Sequence, residues 1–96
     1  MVERGMRKIR AHLWIKGRVQ GVFFRSSAWR IAQNLGITGW IKNRWDGRVE
    51  AVFEGEEKAV QKMIDWSQKG PPAAIVEDIQ VKWEEPTGSF DSFSPH

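Results

Sequence analysis

From Ile9 to Leu35 the hydrophobic pattern changes period, and that change restricts the fold more than any other feature of the chain. Ile9, Ala11, Leu13 and Ile15 alternate with Arg10, His12, Trp14 and Lys16, the period of a strand with one buried face. Past Gly17 the spacing becomes Phe24, Ala28, Ile31, Ala32, Leu35, one face of a helix over about 23–35, with Gly36 where a C-terminal cap belongs.

Two further strands are expected over Thr38 to Arg44 and Arg48 to Glu54, joined at Asp46-Gly47, a dipeptide that tolerates the positive φ of a tight hairpin. Val49, Ala51 and Phe53 then face the core. A second helix from about Glu56 to Lys69 puts Ala59, Val60, Met63, Ile64 and Ser67 on one side, and Gly70-Pro71-Pro72 stops it. Ile79, Val81 and Trp83 alternate with Gln80, Lys82 and Glu84 as one more strand. After the turn-rich stretch 85–89, Phe90 and Phe93 anchor a short or displaced terminal strand that Pro95 ends. The order is β-α-β-β-α-β, the split βαβ pattern of an α+β protein, in which an antiparallel sheet carries two helices on one face.

With 96 residues, 41% of them apolar, the chain has material for one core, so residues 1–96 are read as one domain. Residues 1–8 carry no pattern and are expected to be loosely ordered. No run approaches the roughly 20 apolar residues of a membrane span, and Arg10, His12 and Lys16 interrupt any signal-peptide block, so a cytoplasmic protein without membrane contact is expected. The absence of Cys removes disulfides, thiolate catalysis and Cys-based zinc sites, and the two distant His residues, His12 and His96, leave little for a metal. No metal and no cofactor is expected. Residues 1–48 hold eleven Lys/Arg against two acids, whereas residues 49–96 hold four against ten. The first half is suited to meeting an anion, which charge alone does not identify.

Gly17-Arg18-Val19-Gln20-Gly21-Val22-Phe23-Phe24-Arg25 lies between the first strand and the first helix. Glycines in such a turn let backbone N–H groups converge, and the helix N-terminus adds orphan donors and partial positive charge, together a cradle for phosphate. Arg25 in the first helical turn can offer a planar two-pronged donor to the same anion. Further on, Asn43 in Gly39-Trp40-Ile41-Lys42-Asn43-Arg44 sits near the hairpin turn, where its amide can both donate and accept and so hold a water in one orientation.

These two segments closely resemble the two signature motifs of the acylphosphatase family, and weaker similarity extends over roughly residues 9–84. The resemblance implies a ferredoxin-like sandwich and a metal-independent enzyme that hydrolyses the carboxyl–phosphate bond of acyl phosphates to a carboxylate and inorganic phosphate. It implies that Arg18, Val19, Gln20, Gly21 and Val22 supply backbone N–H groups to the phosphate, that Arg25 binds the phosphoryl group, and that Asn43 orients the attacking water. Its partner is a small acyl phosphate, and the chain is expected to act as a monomer. Two departures stand out: Ser27 replaces the aromatic residue common two positions after the Arg, and the C-terminus lacks the usual apolar, often basic, final strand.

Other residues suggest competing readings. Of six Trp, Trp14, Trp29 and Trp45 lie beside basic residues and suggest stacking platforms for single-stranded nucleic acid, but the alternation of the first strand puts only Trp14, beside His12, on the face away from the core, so a nucleic-acid-binding module is the weaker alternative. A second alternative is a carbamoyl-phosphate-handling domain related to the larger hydrogenase-maturation proteins. Asp46 belongs to the turn, and Glu50 and Glu54 point outward with a solvated or cross-strand paired role rather than an acid/base one. His12 is not read as a proton shuttle.

Overall fold

The odd-numbered residues of the first strand decide how everything else packs. In the computed structural model, which describes residues 7–95, β1 (Lys8–Arg18) buries Ala11, Leu13 and Ile15 completely. β3 (Val49–Glu56) lies antiparallel beside it, with Ala51 opposite Leu13 and Val49 opposite Ile15. Over this apolar face pack α1 (Phe24–Leu35), through Phe24, Ala28 and Ala32, and α2 (Glu57–Ser67), through Val60, Met63 and Ile64. Each large aliphatic or aromatic side chain so buried contributes about 1.5–3 kcal/mol. Gly36 caps α1 in the left-handed conformation expected of it.

β2 (Thr38–Asn43) pairs with the other side of β3, β4 (Ile75–Glu84) forms the edge beside β1, and β5 (Phe93–Pro95) forms the other edge beside β2, giving the order β4-β1-β3-β2-β5. β4 starts four residues before the alternation at Ile79 that marks it in the sequence. β5 is short, as expected, but it runs parallel to β2, so the sheet is mixed rather than wholly antiparallel. The reason is the crossover 85–92. It leaves the end of β4, crosses the end of the sheet and must turn back along the far edge, opposite to β4 and therefore in the direction of β2. Glu54 holds this crossover, accepting hydrogen bonds from the N–H groups of Thr87 (3.2 Å) and Gly88 (2.8 Å). Phe93 enters the core 5.8 Å from Phe53, whereas Phe90 lies beneath the Arg10 guanidinium at 5.0 Å. Residues 1–6 of the patternless leader, and His96, lie outside the described residues.

The sheet face away from the helices carries a closed network of charge. His12 places Nε2 2.7 Å from Glu50 Oε2 and Nδ1 2.9 Å from Glu84 Oε2, and its ring stacks on Trp14 at 4.0 Å. Arg44 Nη1 donates to Glu50 Oε1 at 2.8 Å, and Arg10 Nε to Glu84 Oε1 at 2.9 Å. A solvated role for Glu50 and Glu54 is thereby corrected: they are only 7% and 5% exposed, and cross-strand pairing accounts for both. Burial opposes ionisation of Glu50, but hydrogen bonds from His12 and Arg44 outweigh it and hold the carboxyl below its usual value. The His12 hydrogen bond does the same for Glu84, against a smaller desolvation effect.

Candidate active site

Backbone conformation shapes the connection between β1 and α1. The register slips between Lys16 and Gly17, and Gly17 adopts φ 136° with its Cα so close to β4 that a Cβ would lie 2.1 Å from the Ile75 carbonyl oxygen. No other residue fits there. Gly21 follows with φ 73°, and then Phe23, at φ 66° and ψ 25°, is the one non-glycine residue with positive φ among the described residues. A left-handed conformation costs a residue with a Cβ about 1–2 kcal/mol. The Phe23 carbonyl is fixed by donors from the first helical turn, Ser27 N–H at 3.1 Å and Ser26 Oγ at 3.2 Å. Among the described residues, no group accepts a hydrogen bond from the N–H groups of Gln20, Gly21, Val22 or Phe23. The N-terminal end of α1 adds the partial positive charge of the helix dipole to these donors.

Gln20 ties this loop to the β2–β3 hairpin. Its Nε2 donates to the carbonyl oxygens of both Arg44 (2.7 Å) and Arg48 (2.9 Å), the two residues that flank the turn. Asn43, the last residue of β2 and the one before Arg44, is thereby set across from the loop. Between them lies a niche of about 340 Å³ lined by Val19, Gly21, Phe23, Phe24, Arg25, Ser26 and Asn43.

Of the residues singled out in the sequence, Arg25, Asn43, Val19 and Gly21 therefore meet in one niche. Side chains of Arg18, Gln20 and Val22 do not line it. Arg18 is exposed at the end of β1 opposite Ile75, Val22 is buried in the core, and Gln20 reaches the hairpin. Sequence reasoning missed Phe23, Ser26 and the tether made by the Gln20 amide. The adjacent Phe23-Phe24 pair carried a signal for one of these, since only one of two neighbours can face the core of a helix, and Phe24 is at the core spacing.

The hairpin cations are engaged elsewhere. Side-chain hydrogen bonds from Arg48, with help from Arg44, hold the Asp46 carboxyl well below the usual carboxylate range, and Glu50 and Asp46 together raise the Arg44 guanidinium. A larger hollow of about 800 Å³ lies between the start of β1, α2 and the end of β4, but it mixes Lys8, Arg10 and Lys58 with Glu57, Glu84 and Glu85 and gathers no set of donors of one sign. Among the described residues no cluster of three or more His, Asp or Glu could hold a metal ion, and no helix is long and apolar enough to cross a membrane.

Comparison with known proteins gives consistent results. The family model described as Acylphosphatase matches residues 11–95. An acylphosphatase from Roseiflexus sp. is 58% identical over 88% of this chain and 91% of its own. The solved structure of an acylphosphatase from Coxiella burnetii superposes with a TM-score of 0.89 at 32% identity, covering all of both chains. The crystal structure of T. kodakarensis HypF superposes with a TM-score of 0.79 at 32% identity, over 92% of this chain but 12% of that one.

Proposed function

The chain belongs to the acylphosphatase family, and from that premise we propose that it hydrolyses the carboxyl–phosphate bond of small acyl phosphates, giving a carboxylate and inorganic phosphate, in the niche between the Gly17–Arg25 loop and Asn43. The observation that carries this assignment is the meeting of Arg25, Asn43 and a turn of unpaired backbone donors in one space of about 340 Å³. In this reading the N–H groups of Arg18 to Val22 and the N-terminus of α1 hold the phosphoryl oxygens, and the Arg25 fork adds charge and orientation. Asn43 accepts a hydrogen bond from the attacking water and so directs its oxygen at phosphorus, in line with the departing carboxylate. The bond from phosphorus to the acyl oxygen breaks as the bond to the water oxygen forms. The carboxylate is a good leaving group, and the water protons pass to the oxygens of the phosphate formed, so positioning and charge stabilisation suffice without a side-chain base.

No step in this scheme calls on a metal, and the reaction is expected to proceed in EDTA. The carbamoyl-phosphate alternative is less favoured, because the proteins of comparable length that the chain matches at 51–58% identity are themselves named acylphosphatases. Nucleic-acid binding is less favoured as well, since Glu50 and Glu84 bring negative charge to the sheet face that carries Trp14. The chain is taken to work as a single unit and as a monomer, its β4 edge bearing Glu77, Asp78, Lys82 and Glu84, charges that discourage edge pairing. The lack of Cys suits the reducing cytoplasm. The test is hydrolysis of benzoyl phosphate in EDTA by the wild type, Arg25→Ala and Asn43→Ala. Activity in the wild type with a loss of about 10²-fold or more in each folded variant supports the assignment. Variants as active as the wild type would overturn it.

A further inference from the structure

Resting on the acylphosphatase reading, we infer that Phe23 is a specificity-determining residue that favours acyl phosphates with an apolar, planar acyl group over acetyl or carbamoyl phosphate. Phe23 is 79% exposed, although its neighbour Phe24 is buried, and it lines the niche together with Arg25 and Asn43. Its backbone is in the left-handed region, which glycine would adopt without strain, and the Ser26 and Ser27 donors hold its carbonyl there. In this conformation the ring makes no core contact. The niche thus has two kinds of wall: polar donors and Arg25 for the phosphoryl group, and an aromatic face on its rim.

An acyl phosphate seated by its phosphoryl group must extend its acyl group out of the niche, past that rim. A benzoyl group can stack on the Phe23 ring and remove apolar surface from water on both sides, while an acetyl or carbamoyl group is too small to cover it. Among the lining residues the one polar side chain not assigned to phosphate or water is Ser26, whose hydroxyl donates to the Phe23 carbonyl.

The test compares kcat/KM for benzoyl and acetyl phosphate in the wild type, Phe23→Gly and Phe23→Tyr, with the inhibition constant of inorganic phosphate as a check on the cradle. Comparing the ratio of the two substrates between variants cancels their different intrinsic reactivity. Phe23→Gly keeps the backbone conformation without strain and is expected to lower the benzoyl-to-acetyl ratio about 3- to 10-fold, with phosphate inhibition unchanged; Phe23→Tyr restores the ratio. Trp83→Ala, which removes an exposed aromatic from the β4 edge, leaves the ratio unchanged. An equal loss on both substrates in Phe23→Gly, or no change on either, overturns the inference. A wild type inactive on both substrates overturns instead the acylphosphatase reading beneath it.

Discussion

The two polar regions of this molecule differ in make-up and end in opposite states. On the open face of the sheet, Arg10, His12, Arg44, Glu50 and Glu84 satisfy one another at 2.7–2.9 Å, with Trp14 stacked over the imidazole. At the end of the sheet, the turn before α1 gathers N–H donors that nothing within the described chain accepts, next to Arg25 and Asn43. A closed network stabilises a fold; an open one is available to a ligand. One region sets acids against bases side chain to side chain, whereas in the other it is the backbone N–H groups of the turn that have no acceptor among the described residues.

If this division is sound, substitutions in the two regions should move different observables. The largest effect is expected from Arg25→Ala, which should lower hydrolysis by about 10²- to 10³-fold while the denaturant midpoint changes little. Glu50→Ala should do the reverse, costing about 2 kcal/mol in urea unfolding, because it strands partners on His12 and Arg44, with kcat within a few-fold of the wild type. A Glu50→Ala enzyme that unfolds normally but fails to turn over would merge the two regions. Gln20→Ala is expected to be intermediate, lowering activity about 10-fold, since the loop would lose its two fixed contacts with the hairpin that carries Asn43.

The smallest effect concerns acid. Glu50 and Glu84 both titrate below their reference value of 4.5 in the folded chain. Unfolding returns them to that value, so the unfolded chain takes up protons first as the pH drops. Their contribution to stability is full above pH 4.5 and is lost as the pH falls through the lowered folded values. Unfolding midpoints measured between pH 6 and pH 3 should therefore decline more gently in Glu50→Gln than in the wild type, and identical slopes would show that the network contributes nothing to acid sensitivity.

The sequence disclosed the repeating parts of this arrangement and not its unique contacts. The alternation through Ala11, Leu13 and Ile15 and the helical spacing from Phe24 to Leu35 report directly which residues are buried, because burial is what repeats. The direction of β5 was not legible, since it depends on where the crossover goes, and the Glu54 carboxylate that holds that crossover is distant in sequence from Thr87 and Gly88. Arg25 and Asn43 were visible as motif residues, yet their approach to one niche depends on the Gln20 amide spanning to Arg44 and Arg48, a contact with no local pattern. Phe23 was hidden for a related reason: its left-handed backbone breaks the local preference of a bulky residue, and such violations tend to fall at functional positions.

The most direct test of the division is a titration of the ¹⁵N-labelled protein with inorganic phosphate, followed amide by amide. The largest shifts are expected on the backbone N–H groups of residues 18–25 and on the Asn43 side-chain amide, with little change at His12, Glu50 and Glu84. Shifts concentrated on the open sheet face around His12 and Trp14, or none at the loop when phosphate is saturating as an inhibitor, would put the anion site elsewhere and end the division.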